Sequence, residues 1–143
     1  MTMFASLIGA ALIQTVTPAP LPLQVEVPTI EGVTADPTCG GRPPLASRAT
    51  CLATTQAGIE STVDVLTADF ARQGWIAADG GDNRVIYVRR RAEGGCDGFQ
   101  VMAFAGNDNI SAPAAPAYLA MAAIPGNVCA AQAAPTTTPA APQ

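Results

Sequence analysis

Residues 59–75 read IESTVDVLTADFARQGW, and the fold turns on them. Ile59, Val63, Leu66 and Phe70 recur at spacings that place them on one narrow stripe of a 3.6-residue helix. Gly74 follows the last turn, where a left-handed C-cap residue is wanted, and Trp75 comes directly after it. Extended backward, the same period reaches Leu52. It therefore predicts one helix over about 48–73, or two pieces meeting near Gly58, with Ser47 as the N-cap and Cys51 near the start. Glu60, Asp64 and Arg72 fall on the opposite, solvated face.

After Trp75 the apolar period changes to two. A short strand over Trp75–Asp79, a turn over Gly80–Asn83 and a second strand over Arg84–Arg90 make a hairpin. The turn at 92–95 leads to a third strand over Cys96–Phe104, with Phe99, Val101 and Ala103 on one face. A loop rich in Gly, Asn, Asp and Pro over Ala105–Pro116 precedes a fourth strand, Tyr118–Ile124, which Pro125-Gly126-Asn127 stops. The predicted class is α+β: one long helix packed on a four-stranded antiparallel meander in two layers, stapled by two disulfides. The core residues expected are Ile59, Val63, Leu66, Phe70 and Trp75.

The globular domain is expected over 38–130. Residues 1–17 carry an apolar centre from Phe4 to Ile13, too short to span a bilayer, which needs about 20 residues. They suit a signal peptide, with a buried N-terminal strand or helix as the alternative. Five prolines and no helical period make 18–37 a linker, and 131–143 is a low-complexity Ala/Pro/Thr tail expected to be disordered.

Four cysteines, Cys39, Cys51, Cys96 and Cys129, are widely spaced, with no C-x-x-C pair and no histidine in the chain, so zinc is disfavoured and two disulfides are expected. In the meander Cys96 and Cys129 lie at one end of adjacent strands. Cys51 lies at the other end, a short loop from Cys39. A bridge needs α-carbons within about 7 Å, which selects Cys39–Cys51 and Cys96–Cys129.

No His and no Lys occur, so Ser-His-Asp, Cys-His, Ser-Lys and Schiff-base chemistry are excluded, as is a P-loop. Only carboxylates remain for acid–base work, and Asp79, Asp82, Glu93 and Asp97 flank turns, where solvated carboxylates are ordinary. Asp108 and Asn109 offer oxygens for calcium, but without the spacing or closing Glu of a calcium loop. The expectation is therefore no enzyme, no metal and no cofactor. Arg89, Arg90 and Arg91 form the single charge concentration and the candidate binding residues, either a dock for a protein or anionic surface or an edge-strand or strand-end guard. A net charge of −4 gives no reason to expect nucleic acid. An all-Arg basic set with excess Ala, Gly and Pro fits GC-rich coding and bacterial origin. The expected function is a small periplasmic or extracellular, non-enzymatic protein-binding or envelope-associated module. The alternatives are an inhibitor or immunity-type protein presenting the 105–117 loop, and a small carboxylate-dependent hydrolase.

Overall fold

Thr50–Thr55, TCLATT, is where the chain departs furthest from expectation: it is a strand, not the first turns of a helix. Three β-branched threonines resist helical packing and suit a pleated surface. Leu52 and Ile59 are seven residues apart, close to two helical turns, so the apolar period alone does not separate the two outcomes. This strand overturns the predicted fold class. The chain is not a long helix on a four-stranded meander: its described residues form a six-stranded antiparallel sheet with helices of 4 and 14 residues.

The computed structural model describes residues 24–107 and 110–129. In chain order the elements are β1 (Thr34–Ala35), α1 (Pro43–Ala46), β2 (Thr50–Thr55), α2 (Ile59–Arg72), β3 (Ile76–Gly81), β4 (Arg84–Arg90), β5 (Cys96–Ala105) and β6 (Pro116–Ile124). The sheet order is β1-β2-β6-β5-β4-β3. The expected signal peptide and tail lie outside the described residues.

The end of α2 is built as a Schellman cap. Trp75 N donates to Phe70 O at 2.9 Å and Gly74 N to Ala71 O at 3.1 Å, with Gly74 at φ +90°. This turn throws Trp75 back under the helix, and the aromatic core forms there. Phe70, Trp75 and Tyr87 gather round Phe99 with centroids 4.9–5.2 Å apart, Phe70 and Trp75 edge-on and Tyr87 stacked. Leu66, Leu119 and Met121 complete the fully buried layer, with Leu52 and Val101 at its edge. Tyr87 shares a 2.7 Å hydrogen bond with Thr67 of α2, which fixes the height of the helix over the sheet. Val25, Val27, Ile30 and Val33, placed in a linker by their composition, pack on the same core. Gln73 holds that segment like a strand: its Oε1 accepts from Glu26 N at 2.9 Å and its Nε2 donates to Glu26 O at 2.7 Å.

On the sheet's second face, the 39–49 segment lays Cys39, Leu45, Ala46 and Ala49 over Cys51, Ala120 and Phe104. The disulfides are Cys39–Cys51 and Cys96–Cys129, each with α-carbons 5.2 Å apart. The second one brings Val128 so close to β5 that a Cβ at Gly98 would meet it at 2.6 Å, so only glycine fits there. Between these covers Ile86, Val88, Gln100, Met102 and Ala122 are half-buried, and Ile76 at the sheet edge is 67% exposed. No helix among the described residues is long and apolar enough to cross a membrane.

Candidate functional site

The arginine row does not assemble into one patch. Strand alternation sends Arg89 to the helix side, where its guanidinium stacks on Trp75 at 4.4 Å from the ring centroid. Arg91 turns to Asp97, its Nε donating to Oδ1 at 2.7 Å, and its Nη2 donates to Gly126 O at 2.9 Å. Arg90 is exposed. The β3 ladder stops at Val88, so Arg89 and Arg90 pair with β5 alone, at the end of the strand.

The candidate carboxylates are also dispersed. Asp79 Oδ1 accepts from Gly80 N at 2.8 Å, Asp97 serves Arg91, and Glu93 is exposed in its turn. Asp36 and Asp69 are held below the usual carboxylate range for structural reasons. Thr38 and the Gly40 amide bond the first, Arg72 and Gln73 the second. Asp36 thereby braces the turn in which Cys39 sits at φ 50°. Among the described residues no group of three or more His, Cys, Asp or Glu is placed to hold a metal. Asp108 and Asn109 lie outside the described residues.

A concave site does exist, at the opposite end of α2 from the aromatic core. The first two turns of the helix stand over the open end of the sheet, and the β3–β4 turn closes the space from the side. The result is a groove of about 320 Å³. Val63, Val85, Val101, Ala103 and Leu119 form its apolar lining, and Glu60, Asp64, Asp82 and Arg84 its polar rim. Ile59 and Val63, expected as full core residues, are only half-buried: they pack against the edge of the core cluster and also line this space. The groove is small for a ligand site, where about 300–1,000 Å³ is usual.

Sequence patterns marked Val63, Val85 and Val101 as apolar but not the gap between them. The missed signal is compositional: Asp82, Asn83 and the glycines of the turn leave nothing large to fill the space beneath the first turn of α2.

The segment leading into β6, residues 110–115, is splinted by Gln56, whose Nε2 donates to Ile110 O at 2.6 Å while Oε1 accepts from Ala112 N at 3.1 Å. Backbone bonds from Gln56 N to Ala115 O and from Ala57 N to Pro113 O continue the pairing past the end of β2. Ile110 is 55% exposed beside this splint.

No protein-family model matches the chain. Comparison with curated proteins and with solved structures finds no match either. The site therefore rests on its own geometry.

Proposed function

We propose that the protein is an exported, non-enzymatic binding module whose ligand seats a compact apolar group in the groove between α2 and the β3–β4 turn. The observation that carries this is the groove itself, a concavity with an apolar floor beneath Ile59 and Val63. Core-type side chains left facing a space of that size gain by accepting an apolar group. Export is supported by the two disulfides, which persist in oxidising compartments, and by the short apolar run near the N-terminus. The non-enzymatic reading is supported by the absence of His and Lys from the sequence and by the dispersal of the turn carboxylates.

The test is titration of the disulfide-bonded protein with small phenyl-bearing alcohols, read by amide chemical shifts. Saturable shifts at Val63, Asp82, Asn83 and Val85 are expected, and Val63→Trp, which fills the groove, abolishes them. Saturation that leaves those amides unmoved overturns the site. Mass analysis of chain recovered from a periplasmic extract checks export: both disulfides present and the N-terminal segment removed is the expected state.

A second reading is favoured by the Gln56 splint. An exposed Ile110 next to a braced, extended segment is the way an inhibitor presents a loop to an enzyme's cleft. Inhibition of an endopeptidase that is lost in Gln56→Ala, with the fold intact, would establish that reading. Equal inhibition by the variant removes it.

A further inference from the structure

The groove has a charge pattern that its apolar floor does not require. We propose that it is a site for a small organic cation, a primary ammonium on an apolar body about the size of one ring with a short chain. This rests on the groove being the binding site, as proposed above, and adds the chemistry of what it takes.

Three carboxylates, Glu60, Asp64 and Asp82, stand on the rim against a single guanidinium, Arg84. Arg84 does not neutralise them, since the ion pairs among the described residues are Arg72–Asp69 and Arg91–Asp97. Glu60 and Asp64 lie one helical turn apart on α2, an arrangement in which like charges repel. The positions on the helix that would relieve them carry no base: Ser61, Val63, Thr67 and Ala68 occupy the remaining third and fourth neighbours. The charge of Asp64 reaches inward, where it adds to the burial that pushes the Tyr87 phenol up. Free protein therefore holds net negative charge around an apolar, weakly screening floor. A cation seated there gains attraction that a neutral ligand does not.

The shape narrows the class. A volume of about 320 Å³ admits a compact ligand and not an extended one. No aromatic ring is among the lining residues, so the cage that suits a quaternary ammonium is missing. A primary ammonium offers three N–H donors, matching carboxylate acceptors that approach from the helix and from the turn. An anion meets three carboxylates on entry.

Three probes of matched size decide the question: phenethylammonium, phenethyl alcohol and hydrocinnamate, each titrated into the full disulfide-bonded chain. The amides of Val63, Asp82, Asn83 and Val85 report binding. The cation is expected to bind roughly fivefold or more tightly than the alcohol at low salt, with the carboxylate weakest. The margin shrinks as salt shortens the screening length to about 8 Å at physiological ionic strength. The double variant Glu60→Gln, Asp64→Asn is expected to erase the preference for the cation over the alcohol. Equal affinity for cation and alcohol, or preference for hydrocinnamate, overturns the cation assignment and leaves the groove as a binding site. Silence of those amides towards all three probes overturns the groove reading as well.

Discussion

The two ends of α2 rest on the same sheet and yet differ in kind. At the C-terminal end Leu66 and Phe70 are fully buried, Trp75 is folded beneath by the Schellman turn, and four aromatic rings close every gap. At the N-terminal end Ile59 and Val63 are half-exposed over a groove. One apolar stripe serves both, so periodicity is not what separates them. The difference lies in what the sheet offers. Phe99 and Tyr87 rise to meet the closed end, while Val85, Val101 and Ala103 leave the open end short of volume. Close packing is thus a property of the pair of surfaces and not of the helix.

The sharpest way to break this comparison is truncation at each end. Phe70→Ala removes the ring that meets both Tyr87 and Phe99, and a loss of about 3–5 kcal/mol is expected. Val63→Ala should cost about 1 kcal/mol or less, because part of its surface already faces open space. Chemical denaturation of both variants checks this. Equal losses would mean that the groove is closed in solution. The disulfides follow. Cys96–Cys129 closes a separation of 33 residues near the aromatic end, and Cys39–Cys51 one of 12 near the groove end. Loop-closure entropy puts their contributions at about 3.7 and 2.8 kcal/mol, so replacing the first pair by serines should lower the unfolding midpoint more. The opposite order would show the groove end to be the one that depends on its staple.

Smaller effects sharpen the same contrast among the arginines. Arg89→Ala exposes the face of Trp75 at the closed end and should cost about 1 kcal/mol. Arg90→Ala should stay within about 0.5 kcal/mol, as for an exposed side chain. Thermal unfolding of the pair separates the two roles, and equal shifts would deny the stacking on Trp75 any part in stability.

Much of the closed end was legible in the sequence, and the open end was not. The stripe of α2, the glycine that ends it and the alternation of β4 to β6 are local signals, and local physics fixes them. Thr50–Thr55 reads as helix because Leu52 satisfies the helical period by coincidence, and only its pairing with Leu119 decides the matter. The disulfides show how a right pairing can stand on a wrong placement. The helical period puts Cys51 on a helix at one end of the sheet; it is on β2 opposite Ala120, and Cys39 reaches it in either geometry because the loop between them is short. Which arginine meets Trp75 depends on a cap and a strand start acting together. The groove was illegible for a deeper reason: it is a volume between residues, and no residue encodes it by itself.

Tyr87 joins the two ends, and its titration measures how far the charge at the open end reaches. Burial pushes its phenol up from the usual value of 10.0, the Thr67 hydrogen bond pulls it back, and Asp64 raises it. A phenol raised on folding stabilises the native state below the unfolded pKa, and that contribution is lost as pH climbs through the folded value. Stability should therefore fall as pH rises past about 10. Removing the carboxylate with Asp64→Asn is expected to lower the titration midpoint of Tyr87, whereas Thr67→Val, which deletes the opposing bond, should raise it. Phenolate absorbance as a function of pH follows both variants. A midpoint that ignores Asp64→Asn would show that solvent screens the rim carboxylate before its field reaches the core. The closed and open ends would then be electrostatically separate as well as differently packed.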